Sequence, residues 1–348
     1  MERPFGFALA GTGMIADFHA RAVACVEGAK LVAVTSRQYE RAQQFAAKHG
    51  CDACCDLDAM VARPDVDALI VATPSGLHLE AVLCAAHHGK HALCEKPLEI
   101  SVARCQALVD AHRAAGTQLG CTFQLRYQPV LVPIRQAIQE GRFGTITSAG
   151  IYVPWWRDQA YYSDSPWHGK LALDGGGALM NQAIHMVDLL CDLMPPVESV
   201  CGVISSLGHP GIEAEDTASA VVQFQGGAIG MIYGTTASWP GQSKRLEITG
   251  TKGSVIMVDD ALSVYAFQDE RPEDAQVRAQ FSATKGALGA GNPASAMTPA
   301  LHAACFRDFM QACRGTGTFG IDGVSAMRSV RVIEAIYASA RSGQRIVL

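Results

Sequence analysis

The sequence predicts an α/β chain in two parts: an N-terminal doubly wound parallel sheet over residues 1–122, and a C-terminal α+β domain with an open, mostly antiparallel sheet over 123–348. Three observations predict it. Short apolar runs alternate with amphipathic stretches as far as residue 122. A glycine turn, Gly11-Thr12-Gly13-Met14-Ile15-Ala16, follows the first of those runs. Beyond residue 145 the apolar runs succeed one another, separated by tight glycine turns. With 348 residues and a hydrophobic fraction of 49%, the chain is long enough to bury two cores.

In order, Phe5–Ala10, Leu31–Thr35, Ala68–Ala72, His91–Cys94 and Gln118–Thr122 read as strands, being short, apolar and bounded by turn residues. The longer periodic stretches between them, Ile15–Val26, Tyr39–His49, Leu57–Ala62, Ser75–His88 and Ser101–Ala115, read as crossover helices. In the second part, Ile146–Val153, Val200–Ser206, Thr217–Phe224, Ala228–Thr235, Lys244–Thr249, Ser254–Met257 and Leu262–Phe267 read as strands. Gln225-Gly226-Gly227 and Gly250-Thr251-Lys252-Gly253 join two pairs of them as hairpins. Residues 282–299, rich in small residues and without periodicity, are expected to form a long surface loop that would serve as a lid. Helices at Pro299–Cys313 and Val324–Ser342 close the chain, and no internal repeat is visible.

The net charge of −5, from 28 Lys+Arg against 33 Asp+Glu with no long basic run, argues against nucleic acid or anionic lipid as a partner. No signal-like segment or spanning apolar stretch is present, so a cytoplasmic location is expected and no membrane association. The 12 cysteines are scattered mostly singly and read as reduced thiols. Cys51, Cys54 and Cys55 contain a C-x-x-C spacing, but no second pair completes a structural metal site, and no metal is expected.

The glycine turn follows a strand and opens a helix, the context a dinucleotide fingerprint requires. Gly11 permits the turn, Gly13 lets the backbone approach a pyrophosphate, and Thr12, Met14 and Ile15 lie beside that anion at the helix N-terminus. At the end of the second strand, where an NAD site usually carries an acidic residue, stand Ser36 and Arg37; a hydroxyl and a guanidinium suit a 2′-phosphate, which favours NADP over NAD. Thr73 and Pro74 end another strand on the same sheet edge. His78, one helical turn on, either joins them at the cofactor or lies on the helix surface.

Lys96, between Glu95 and Pro97, ends a parallel strand at the carboxyl edge where such sheets bind ligands. A lysine beside the nicotinamide polarises a reacting hydroxyl and stabilises the alkoxide; the plain alternative is a surface pair with Glu95. Further on, Gly175-Gly176-Gly177 precede an apolar helix on which Asn181, His185, Asp188 and Asp192 share one face. His185 there is either a base working near neutral pH, a satisfied core histidine, or part of an incomplete metal set. Three of the four tryptophans, Trp155, Trp156 and Trp167, crowd into one stretch with Arg157, Tyr162, His168 and Lys170. That stretch is either a wall for a polyol or acidic sugar or an aromatic core or oligomer contact. Arg126 is a further candidate substrate contact at the interdomain cleft the sequence implies.

Together these motifs resemble the glucose-fructose oxidoreductase / inositol dehydrogenase / rhizopine catabolism (Gfo/Idh/MocA) family. The resemblance rests on the Gly11 turn with His19 on its helix, Ala72-Thr73-Pro74, Glu95-Lys96-Pro97, Gly175 to His185, and Ile248-Thr249-Gly250-Thr251-Lys252-Gly253. It implies a Rossmann domain, an open-sheet domain that mediates a homodimer or homotetramer, and a cis Lys96–Pro97 bond. It also implies hydride transfer between nicotinamide C4 and a sugar, sugar-acid or cyclitol carbinol, so the expected partner is a small carbohydrate. By position Lys96 and His185 match the family's catalytic pair, with Lys96 polarising the hydroxyl and His185 as base. Asn181 stands where many members have aspartate, which turns the expectation from inositol toward nucleotide sugars or sugar acids, with Asn181 orienting substrate or histidine. The Trp156 to Trp167 stretch is similar to that of UDP-sugar-acid 3-dehydrogenases, with His168 where those often show arginine. The rivals are a lyase or hydrolase that uses tightly held NAD for transient oxidation, and a silent cofactor-binding sensor; the presence of both Lys96 and His185 argues against the sensor.

Overall fold

The computed structural model describes residues 3–282 and 299–348, so the loop expected over 282–299 lies outside the described residues except for its two end positions. The described chain divides into two units, 3–124 with 299–330 and 125–282 with 331–348.

The first unit is built on strands β1 (Phe5–Ala10), β2 (Ala29–Thr35), β3 (Asp52–Cys54), β4 (Ala68–Val71), β5 (His91–Cys94) and β6 (Leu119–Cys121). They form one 6-stranded sheet in the order β3-β2-β1-β4-β5-β6, with every pairing parallel. Helices α1 (Met14–Ala24), α2 (Tyr39–His49), α3 (Leu57–Val61), α4 (His78–His87) and α5 (Val102–Ala115) make the crossovers. β1 and β4 are buried along their whole length, the continuous apolar pattern of strands covered on both faces. The order reverses between β1 and β4, and in such sheets ligands bind at that switch point, outside the carboxyl ends of the strands. Within the cysteine-rich segment, Asp52–Cys54 form the edge strand β3, too short for periodicity to announce it, with Cys51 and Cys55 flanking it.

The closing helices divide differently from expectation. The sequence places both in the second domain, whereas α11 (Ala300–Cys313) and the first turns of α12 (Gly323–Ser342) belong to the first unit. Packing is the reason. His302 and Phe306 lie one turn apart on α11; His302 meets Phe18 at 4.8 Å and Phe306 meets Phe7 at 6.0 Å, so α11 covers α1 and the core beneath it.

The second unit contains α6 (Leu131–Gln139), β7 (Ile146–Pro154), α7 (Gln159–Ser163), α8 (Leu171–Asp174), a π-helical turn (Ala178–Ala183), α9 (Ile184–Leu193), β8 (Val197–Ser205), β9 (Thr217–Phe224), β10 (Ile229–Thr235), β11 (Arg245–Gly250), β12 (Gly253–Val258), β13 (Ala261–Phe267), α10 (Pro272–Gln280) and β14 (Ile346–Val347). Its 8-stranded sheet runs β13-β12-β11-β7-β10-β9-β8-β14, antiparallel throughout except for β7 against β10. The π turn and α9 pack on one face, against β7, β9 and β10. The other face carries Cys201, Val203, Val221, Ile229 and Met231 exposed to solvent, Val203 at 68%. Helices α7 and α8 are too short for periodicity to stand out, α10 buries only Asp274, and α6, although Leu131, Ile134 and Ala137 share one buried face, carries Pro133 in its first turn, a position where proline is tolerated but reads as a breaker. All 12 cysteines are free, and among the described residues no helix is long and apolar enough to cross a membrane.

Candidate active site

In the first unit the glycine turn leaves β1 at the switch point. Gly11 has φ +111°, and a Cβ there would lie 2.4 Å from the Ala72 carbonyl, so only glycine lets the turn pass this close to the end of β4. Gly13 caps α1 without any side-chain hydrogen bond to the helix, and a Cβ on it would meet nothing within 4 Å. The first-turn N–H groups of α1 therefore border open space, the cradle an anionic pyrophosphate fits. Met14 on that turn is 74% exposed although apolar, and the Thr12 hydroxyl donates to that of Ser36 at 3.2 Å. Ile15 is half-buried behind it, and Arg37 follows exposed. Residues 11–15 with 36 and 37 thus fit a dinucleotide.

On the same edge, β5 delivers Glu95 buried and Lys96 half-buried, followed by a cis Lys96–Pro97 bond as the family resemblance implies. Glu95 Oε1 accepts from the Thr122 hydroxyl at 2.7 Å and lies 2.7 Å from His19 Nε2, while Oε2 accepts the Lys96 N–H at 3.0 Å. Burial works to raise this carboxyl. The His19 bond, with the charges of His19 and Lys96, overcomes burial and holds it well below the usual carboxylate range. The backbone at Lys96 is thereby fixed from behind by an ionised group. His78, expected at the cofactor or on the surface, is fully buried: Nδ1 lies 3.0 Å from the Pro97 carbonyl and Nε2 3.0 Å from that of Thr73. It braces the Lys96–Pro97 turn against the Thr73–Pro74 end of β4.

In the second unit, Gly177 passes so close to Glu215 that a Cβ would lie 1.8 Å from its carbonyl oxygen. The Glu215 carboxylate accepts the Gly177 and Leu179 N–H groups at 2.9 and 2.8 Å, anchoring the π turn. That turn opens the helix with π rather than α geometry: Asn181 sits in it and His185 at the start of α9. From Ala178 to Leu193 only Asn181, His185 and Asp192 escape burial. Asp188, expected on that polar face, is buried with Arg126, whose Nε and Nη2 reach its two oxygens at 2.7 and 2.6 Å. Arg126 Nη1 also donates to Asp192 at 3.0 Å, so its guanidinium is spent on two carboxylates and holds α9 in place.

Around Asn181 the side chains form a connected chain. Arg157 Nη2 donates to Gln182 Oε1 at 2.7 Å, Gln182 Nε2 donates to the Tyr161 hydroxyl at 2.7 Å and to Asn181 Oδ1 at 2.9 Å, and Asn181 Nδ2 donates to Asp174 Oδ1 at 2.5 Å. The Arg157 guanidinium lies 5.5 Å from the ring centres of both Trp155 and Tyr161. His168 stacks on Tyr161 at 4.1 Å with 9° between the planes, and Trp167 meets His168 at 4.1 Å.

Family models match the chain over residues 5–123, as an oxidoreductase family with an NAD-binding Rossmann fold, and over residues 132–256, as a GFO/IDH/MocA C-terminal domain. The chain belongs to the GFO/IDH/MocA family. It is 31% identical to a 1,5-anhydro-D-fructose reductase of Ensifer adhaerens, over 66% of this chain and 68% of that one. It is 29% identical to an inositol 2-dehydrogenase of Rhizobium meliloti, over 72% and 74%. A crystal structure of the WlbA dehydrogenase from Bordetella pertussis, in complex with NADH and UDP-GlcNAcA, superposes with a TM-score of 0.90 at 32% identity, covering 100% of this chain and 99% of that one. As a member of this family, the protein is an NAD(H)-binding oxidoreductase with a Rossmann domain and a second, mixed and mostly antiparallel sheet, as the sequence predicts.

Within this GFO/IDH/MocA chain the other expected substrate contacts separate. Trp156 bridges Ala237 and packs edge-on against Trp239 at 4.8 Å. Tyr162 is buried with its hydroxyl 2.8 Å from that of Thr236, and burial pushes that phenol up to about 12. Its neighbour Tyr161 is the tyrosine joined to Asn181 and Arg157 through Gln182. The sequence does not single out Tyr161, Gln182 or Asp174; the only available signal is their nearness to Arg157 and Asn181 in the chain. His302 is likewise a surprise, a buried imidazole pushed down to about 4 by burial and by the charge of His19.

Proposed function

We propose that the protein is an NAD(P)-dependent dehydrogenase of a nucleotide-linked sugar acid, oxidising one sugar hydroxyl to a ketone. The observation that carries the substrate class is Arg157: a half-buried guanidinium between the rings of Trp155 and Tyr161, joined through Gln182 to Asn181. A neutral polyol needs no such cation, while a carboxylate is well met by one. The UDP-GlcNAcA complex of the WlbA relative supports the same class.

When bound, the nicotinamide accepts or returns a hydride at C4. His185 takes the proton of the reacting hydroxyl, and the Lys96 ammonium donates to its oxygen and stabilises the alkoxide as it develops. Asn181, tied to Asp174 and Gln182, orients the substrate. Lys96→Met and His185→Ala are expected to lower kcat by about a hundredfold or more with NAD(H) binding kept. Trp156, Trp167 and His168 serve as the wall of the sugar site in this reading, and Ser36 with Arg37 favours NADP over NAD, no acidic side chain standing at 35–37. Arg37→Asp is then expected to lower the NADP/NAD preference about tenfold or more.

Two further parts belong to the proposal. The exposed apolar face of β8, β9 and β10 pairs with a second copy to give a homodimer or homotetramer, checked by light scattering of the wild type and Val221→Lys. The free cysteines support a reducing, cytoplasmic setting. The deciding experiment follows nicotinamide reduction with NADP and NAD against UDP-linked sugar acids, free sugar acids, aldoses and inositols. Turnover with the UDP-linked acids supports the reading, and turnover confined to inositols or simple aldoses overturns it.

A further inference from the structure

The hydrogen-bond chain from Arg157 to Asp174 has its direction dictated by its ends. A guanidinium only donates, so the Gln182 atom facing Arg157 is the amide oxygen. A carboxylate only accepts, so the Asn181 atom facing Asp174 is the amide nitrogen. Asp174 is buried, and its other oxygen takes the Gly169 N–H at 2.9 Å. Between those ends, Gln182 must turn its nitrogen to Asn181 Oδ1 and to the Tyr161 oxygen. Turning either amide over would oppose donor to donor or acceptor to acceptor.

One consequence reaches Tyr161. Its oxygen accepts from Gln182, so its own O–H hydrogen points away from the chain. The ring has little freedom: His168 stacks on one face, and the Tyr162 ring abuts it at 5.0 Å and 90°. Burial, with the charge of Asp174, holds the phenol above its ordinary range, so it remains a proton donor at every working pH.

We propose that the Tyr161 hydroxyl donates to an oxygen of the sugar substrate, and that Gln182 and Asp174 are the positioning residues that aim it. This rests on the dehydrogenase reading above and adds a substrate contact where the sequence points instead to Tyr162.

The test begins with Tyr161→Phe, expected to lower kcat/KM for the sugar about tenfold with cofactor affinity unchanged, and to lower Tm only by the one hydrogen bond that Gln182 loses. Gln182→Glu alone sets an acceptor against Asn181 Oδ1, and Asp174→Asn alone sets a donor against Asn181 Nδ2; each is expected to lower Tm. In the double variant the Asn181 amide turns over and every contact is made again. The negative charge has then moved from 174 to 182, and Tyr161 donates to the carboxylate introduced there. Tm is expected to recover while kcat/KM stays about tenfold down, and adding Tyr161→Phe to this background is expected to cost no further activity. Recovery of activity together with Tm, or a further tenfold loss on adding Tyr161→Phe, overturns the proposal. Should the double variant not fold, the single Tyr161→Phe result decides. A wild type that turns over no sugar sinks the dehydrogenase reading itself, whereas a fully active Tyr161→Phe sinks only this proposal.

Discussion

The polar networks around Glu95 and around Gln182 are built in opposite ways. At Glu95 a charge lies at the centre, buried, with His19, Thr122 and the Lys96 N–H converging on one carboxylate. At Gln182 the charges stand at the ends, Arg157 and Asp174, and two neutral amides fill the middle. The first arrangement fixes a backbone turn and, through it, where a lysine starts. The second fixes the sense of side-chain hydrogen bonds and therefore which atoms present hydrogens. A buried charge that loses a donor is left as an under-compensated ion, while neutral amides that lose partners leave only dipoles unmatched.

The largest expected effect tests that contrast directly. Glu95→Gln leaves His19 facing an amide in a buried site and is expected to cost about 3–5 kcal/mol of stability together with most activity, against about 1–2 kcal/mol for Gln182→Met, both by urea denaturation. Equal losses would remove the distinction.

The pH dependence sharpens it next. His302 is neighbour to the Glu95 network, and its folded pKa of about 4 lies below the ordinary value of about 6.5. Between those values the unfolded chain binds the proton and the folded chain does not, so stability is present at neutral pH and falls as pH drops through that window. His302→Phe is expected to lose about 2–3 kcal/mol less than wild type between pH 7 and pH ~4.5. An unchanged acid limb would mean that His302 does not titrate as a buried neutral group. His112, also buried and pushed down to about 4, contributes to the same limb in both proteins and cancels in the comparison.

Arg126→Lys keeps the charge but loses the two-pronged grip on Asp188, and is expected to cost about 2 kcal/mol with KM for the sugar unchanged. A tenfold rise in KM at unchanged Tm would return Arg126 to the substrate site. The smallest change is Gly13→Ala: its Cβ meets nothing in the protein, so Tm of the free protein should hold while NAD(H) Kd rises about tenfold. A fall in Tm instead would make Gly13 a structural glycine like Gly11.

The same contrast explains what was legible beforehand. The Gly11 turn, Glu95-Lys96-Pro97 and the strand–helix alternation are local in sequence, and backbone geometry makes local demands: a positive φ, a close approach, a strand end. His78 shows the limit even there, since its spacing places it near the cofactor while its partners, the carbonyls of Thr73 and Pro97, come from the ends of two adjacent strands. In the second unit the polar face read from Asn181 to Asp192 keeps Asn181, His185 and Asp192 out of the core but loses Asp188 to Arg126, and neither that pair nor the Glu215 carboxylate that anchors the π turn is local in sequence. Tyr161 and Tyr162 are adjacent and chemically identical, and nothing in the chain distinguishes them until the fold gives one to Thr236 and the other to Gln182.

By itself, then, the sequence determined the parallel nucleotide-binding sheet, the open second sheet, the cofactor turn, the lysine at the strand end and the histidine on its helix. Periodicity and turn chemistry act over a few residues and are written in order along the chain. Tertiary structure alone decided that α11 belongs with the first sheet, that Arg126 is an ion-pair anchor, and that Tyr161 is the tyrosine tied to Arg157 and Asn181. Those outcomes depend on which distant donor meets which acceptor once water is excluded, and that pairing exists only after the chain has packed.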